Sequence, residues 1–185
     1  MWRRTFIAGA GLIAAGQTAW ASSAARPLAS IPAGYVAVAT QCRVPPAYLF
    51  GIALQESAQL FGEPGSRRAL PWPWTLNIAG EPVRCPSRHA AHVRALAALR
   101  AGVESIDLGP MGINWRFHKA RLQSVERGLD PYWNLRVGAL LLVDHFTRCG
   151  NWFQAIGRYH SPANPARAAS YAMQVLDRVR RLGDV

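Results

Sequence analysis

Glu56 closes the apolar run Leu49-Phe50-Gly51-Ile52-Ala53-Leu54-Gln55-Glu56-Ser57, and one carboxylate at the end of an otherwise apolar helix is an unusual use of a charge. Apolar surroundings disfavour the ionised carboxyl, and the negative end of a helix dipole acts in the same direction. A Glu so placed stays protonated near neutral pH. It can then give its proton to a leaving oxygen, which cleavage of a glycosidic bond requires. The competing reading is a Glu on the solvated edge of an amphipathic helix, and this segment alone leaves both open.

Glycoside hydrolases generally use two carboxylates on opposite faces of the scissile bond. Between Glu56 and the helix that starts at Asp130-Pro131 the chain offers Glu63, Glu81, Glu104, Asp107, Glu126 and Asp130, none in a local context as apolar. Chemistry that runs on one carboxylate is the expectation.

Two later segments stand in a telling order after Glu56: Asp107-Leu108-Gly109-Pro110-Met111-Gly112-Ile113-Asn114-Trp115 and Ala155-Ile156-Gly157-Arg158-Tyr159-His160-Ser161. Together the three segments resemble a lytic transglycosylase domain of the soluble lytic transglycosylase (SLT) type, with its Glu-Ser, Gly-Leu-Met-Gln-x-Asn and Ala-Tyr-Asn-Ala-Gly signatures. Glu56 and Ser57 match the first, and Gly109, Met111 and Asn114 the second, where Pro110 and Gly112 replace the usual Leu and Gln. Only Tyr159 matches the third. The resemblance runs from about Pro45 to Tyr171. It is closest to members carried with conjugation and type IV secretion systems, which share a Trp-Pro-Trp-Thr-Leu-Asn stretch like that within Pro71 to Asn77 and a Tyr-His-Ser-Pro like Tyr159 to Pro162.

The resemblance implies a lysozyme-like fold and a peptidoglycan glycan strand as substrate, cut at the MurNAc-GlcNAc β-1,4 bond. It also implies that Glu56 acts first as acid and then as base for the sugar's own 6-hydroxyl, leaving a 1,6-anhydro-MurNAc end. An intramolecular nucleophile brings high effective molarity, so a second group to activate water is dispensable. By the same resemblance Tyr159 hydrogen-bonds near the acid and the substrate. Ser57 either contacts the sugar or bonds back to its own helix. Gly109, Met111 and Asn114 are expected to wall the cleft opposite Glu56. Glycine in place of Gln at 112 removes a side-chain amide and opens space. Trp74 and Trp115 flank the motifs and are expected to offer flat faces to sugar rings, and His118 and His160 are further polar candidates. A muramidase that uses water, and a peptidoglycan-binding assembly protein with a weakened site, are the alternatives.

No cofactor is called for. A metal is a poor reading too, since Cys42, Cys85 and Cys149 lack Cys-x-x-Cys spacing and His89 and His92 make only one His-x-x-His pair.

The amino terminus reads as a cleaved export signal over residues 1–21, with Arg3 and Arg4 before the apolar run Phe6 to Ala15 and a small-x-small site at Ala19-Trp20-Ala21. That run is too short for a permanent span, so a periplasmic protein with no stable membrane span is expected. A short linker, 22–32, precedes one domain, 33–185. Two of the 21 basic residues lie in the signal, leaving 19 against 10 acids and a formal charge of +9. Nucleic acid would suit that charge, but export argues for an acidic polymer instead. The resemblance adds conjugation or type IV secretion components as partners. An oxidising compartment makes one disulfide and one leftover thiol the expectation, with three pairings open.

These groups must be positioned by helices. The pattern predicts helices over about Ala33 to Cys42, Ala47 to Leu60 and from a Ser87 cap to Arg100. Others start at Asp130-Pro131 and run to Gly150, cover Trp152 to Tyr159, and run from Asn164-Pro165 to about Leu182. Thr75 to Arg84 suits a small hairpin turning at Ala79-Gly80-Glu81. The expected class is mainly α, an α+β domain with one small β-hairpin.

Overall fold

A computed structural model of the chain describes residues 31–64 and 67–183. The expected signal and most of the linker lie outside the described residues. The fold is mainly helical, as the periodicity predicts, with a small β region. Helix α1 (Ala33–Cys42) leads through Pro45 into α2 (Pro46–Ser57), which begins on a proline at its first position, where no intrahelical N–H bond is lost. Leu49, Phe50, Gly51, Ile52, Ala53 and Leu54 are all buried, so α2 is a central helix rather than one with a solvated face.

The helix stops three residues earlier than expected. Ala58 leaves helical geometry, the Ser57 carbonyl accepts a bond from the Trp72 N–H at 2.8 Å, and β1 (Ala58–Phe61) pairs antiparallel with β2 (Arg68–Pro71). Helical spacing of the apolar residues persists through Leu60, but pairing with a distant strand overrides it.

The expected hairpin forms from β3 (Thr75–Ile78) and β4 (Glu81–Arg84). It is extended by a second one, β5 (Ile106–Leu108) and β6 (Ile113–Asn114), into a four-stranded antiparallel sheet of order β4-β3-β5-β6. Between them α3 (Arg88–Arg100) starts where the Ser87 hydroxyl accepts the Ala90 N–H. Two short helices, α4 (Trp115–Leu122) and α5 (Val125–Gly128), connect the sheet to α6 (Pro131–Cys149), capped by Asp130 and ended by Gly150 in the left-handed conformation.

Helix α7 (Trp152–His160) and α8 (Pro165–Gly183) complete the chain. Helix α8 packs on α2 and α7 at very short range. A β-carbon at Gly51 would stand 2.7 Å from a Val179 methyl, and one at Gly157 would stand 2.5 Å from the Ala168 carbonyl oxygen. The main core joins Ile52, Leu76, Leu108, Met111, Leu142 and Ile156, all fully buried, and so ties sheet to helices under the end of α2.

Candidate functional site

Glu56 sits in the last turn of α2, its side chain retaining 21% of its area. Burial pushes its carboxyl up to about 7, outweighing the opposite pull of a hydrogen bond from Tyr171, and the charge of Asp107 adds to the rise. The Tyr171 hydroxyl donates to Oε1 at 2.5 Å. His160 places Nδ1 3.9 Å from the same oxygen, and its ring lies parallel to that of Tyr171 with centroids 4.5 Å apart. Oε1 is thus occupied from the α7–α8 side.

Oε2 faces the turn between β5 and β6. Gly112 has φ 58°, and a β-carbon there would lie 2.9 Å from Oε2 and 3.4 Å from Cδ of Glu56. The space expected to stand open where Gln is usual is therefore taken up by the carboxyl itself. The turn is held by Asn134 of α6, fully buried, whose Oδ1 accepts the Met111 N–H at 2.9 Å and whose Nδ2 donates to the Leu108 and Gly128 carbonyls at 2.8 and 2.9 Å. Gly109 fits only as glycine, since its β-carbon would meet Nδ2 of Asn134 at 2.6 Å.

The first-motif serine is placed beneath the site. Ser57 is 1% exposed, and its hydroxyl lies 2.9 Å from both the Ala53 and Pro110 carbonyl oxygens, so one proton is shared between its own helix and the turn. Met111 likewise turns its side chain into the core, against Gly138. What it offers the site is its carbonyl, which accepts the Tyr159 hydroxyl at 2.7 Å. Tyr159 therefore holds the turn, and Tyr171, which the motifs do not mark, is the tyrosine on the carboxyl. Asn114 uses Nδ2 to hold Asp107 Oδ1 at 2.7 Å, while its Oδ1 is buried without a partner.

Asp107 is the carboxylate that local sequence underrated. Burial raises its pKa, the Asn114 amide and the His160 charge lower it, and its own field reaches Glu56, Tyr159 and His160. The signal for it lay in the hairpin: Asp107 and Asn114 are cross-strand partners in β5 and β6. His160 is pulled down by burial and pushed back up by Asp107. The site thus brings two carboxyl groups, one imidazole and two phenols together, with one carboxyl able to hold a proton near neutral pH.

Trp74 and Trp115 are half-buried against the main core, Trp74 edge-on to Trp72 at 5.1 Å. His118 belongs to a different neighbourhood, with Arg121 and His145. The expected disulfide is not formed. Cys42, Cys85 and Cys149 are free thiols, Cys42 in α1, Cys85 between β4 and α3 and Cys149 at the end of α6, and the Cys149 thiol donates to the His145 carbonyl at 2.8 Å. Among the described residues no cluster of three or more His, Cys, Asp or Glu could hold a metal, and no helix is long and apolar enough to cross a membrane.

No family model, no curated protein and no solved structure matches the chain.

Proposed function

We propose that the chain is an exported, lysozyme-like lytic transglycosylase of the SLT type, cutting the MurNAc-GlcNAc β-1,4 bond of peptidoglycan in the periplasm to open the wall locally for a conjugation or secretion apparatus. The observation that carries this reading is Glu56: its carboxyl, pushed up to about 7, has Oε1 engaged by Tyr171 and Oε2 on the face left uncovered by a side chain at Gly112. Glu56 gives its proton to the glycosidic oxygen as the bond to the anomeric carbon breaks. The 6-hydroxyl of the same sugar then attacks that carbon and returns its proton to Glu56. No water is consumed, and Tyr171 and His160 keep the carboxyl in place through both transfers.

A second reading is favoured by Asp107. A second partly buried carboxylate whose field reaches Glu56 is the pairing that hydrolytic glycosidases use, and it would support water as the nucleophile. Digestion of purified sacculi followed by mass spectrometry separates the two. Anhydromuropeptides support the transglycosylase, reducing ends one water heavier support the muramidase, and no released muropeptide from the folded protein rules out both.

A further inference from the structure

A second concave site lies on other residues, between α1, the start of α3, α5 and the first turns of α6. It is a cavity of about 690 Å³ whose polar lining includes Gln41, Arg88, Arg127, Arg136, Asp130 and the indole of Trp133. Asn134, the next residue along α6, is turned into the core beneath the Gly109–Gly112 turn, so this cavity and the Glu56 site share no side chain.

Three features mark it as a site for an anion. Three guanidinium groups face one carboxylate, and that carboxylate already uses Oδ1 to accept the Trp133 backbone N–H at 2.9 Å as the cap of α6. Among the described residues none of the three arginines is in an ion pair with an acid. Two donors within the lining residues are buried without acceptors. Arg88 gives Nη2 to the Glu126 carbonyl at 2.8 Å but leaves Nε unpaired, and Trp133 leaves Nε1 unpaired under the Arg127 guanidinium, which stands 4.2 Å from the ring centre. A buried unpaired donor costs about 1–3 kcal/mol, more when charged, so a ligand that supplies acceptors here recovers interactions the free protein lacks.

The lining also chooses among anions. Ala37, Val38 and Tyr132 give apolar wall beside the guanidiniums, which suits an aliphatic backbone next to the charge. Asp130 keeps a second oxygen that repels a dianion and accepts an N–H. A carboxylate with a neighbouring amide N–H is the chemistry of a peptide. We propose that this cavity binds the carboxylate of an acidic peptide, with Arg127 and Arg136 gripping the charge and Asp130 taking the adjacent N–H. The inference does not depend on the chemistry of Glu56.

The test follows the indole N–H of Trp133 by NMR in the ¹⁵N-labelled full-length chain, its resonance assigned with Trp133→Phe. The probes are an L-Ala-D-Glu-containing stem tetrapeptide and an acetylated all-L Glu peptide, each as the free carboxylate and with its carboxylates amidated, and inorganic phosphate. Saturable shifts at millimolar or lower concentration are expected with at least one carboxylate peptide, and which one responds identifies the source. The double variant R127Q/R136Q, its melting unchanged, should weaken that binding at least about tenfold. Equal binding of the amidated peptide, equal binding by the variant, equal shifts from phosphate, or no shift with either peptide at 10 mM, each overturns the proposal.

Discussion

The α-carbon of Gly112 is turned onto the Glu56 carboxyl so closely that a methyl group at 112 would stand 2.9 Å from Oε2. The left-handed backbone at Gly112, φ 58°, makes this approach possible and penalises any other residue there. Gly112→Ala is therefore expected to lower glycan cleavage, because the methyl crowds the only carboxyl oxygen not held by Tyr171. The strain should also reduce stability by about 1–2 kcal/mol. Gly112→Gln should do the same, because its side chain starts against the carboxyl. Muropeptide release and thermal melting of both variants check this, and a Gln variant faster than the wild type would mean that the turn relaxes away from Glu56.

Glu56→Gln keeps an acceptor for the Tyr171 hydroxyl and removes the proton. It should fold and lose at least about 100-fold in anhydromuropeptide release. Wild-type release by this variant would sink the assignment of Glu56.

Two tyrosines near the site are expected to behave differently. The bond from Tyr171 lowers the Glu56 pKa, so Tyr171→Phe should move the alkaline limb of the rate profile to higher pH. Tyr159→Phe leaves the Met111 carbonyl without its hydroxyl partner and should cost about 1–2 kcal/mol of stability while the limb stays in place. Rate profiles and denaturant melts of the two variants suffice. A shifted limb in the Tyr159 variant alone would reverse the roles.

The Glu56 proton also links stability to pH. The carboxyl titrates near 7 when folded and near 4.5 when free, so between those values the native state binds more proton than the unfolded chain. Its contribution is complete below about pH 4.5 and is lost as pH rises through 7, a change of roughly 3 kcal/mol at most. Activity should fall over the upper part of that window as the acid ionises. Unfolding free energies of wild type and Glu56→Gln measured from pH 4 to pH 8 should diverge with this sign, and parallel curves would show that the carboxyl is not desolvated.

Asn134→Ala would strip three bonds at once, two from the β5–β6 turn at the Met111 N–H and the Leu108 carbonyl and one from the Gly128 carbonyl at the end of α5. A loss of about 3 kcal/mol is expected, at about 1 kcal/mol per bond. Hydrogen exchange at the Met111 amide should quicken more than in the α8 core. Equal protection there would mean that the turn holds without the amide.

Helix positions were legible because their punctuation is local: Ser87, Asp130-Pro131, Gly150 and Asn164-Pro165 mark ends by chemistry confined to one turn. The β1–β2 and β5–β6 hairpins were not, since Ala58 to Phe61 keeps helical spacing and Ile113–Asn114 is two residues long; both are decided by distant partners. The site was legible at Glu56 and at the glycines of the second motif. Roles were harder. Motif matching marks Ser57, Met111 and Tyr159, yet they act by supporting backbone, whereas Tyr171 lies 115 positions from Glu56 and meets it only through helix packing. Asp107 has no apolar run beside it in sequence, and its burial comes from the sheet.

The short contacts of Gly51 and Gly157 with α8 carry a consequence for how such a site drifts over time. Tyr171 rides on α8, so the spacing of that helix from α2 and α7 fixes how firmly the Glu56 proton is held. One added methyl at either glycine would push the helix outward, stretch the phenol from the carboxyl and raise its proton affinity. Acidity here is a property of helix spacing, and the pH at which Glu56 gives up its proton can be retuned by changes that never touch its carboxyl.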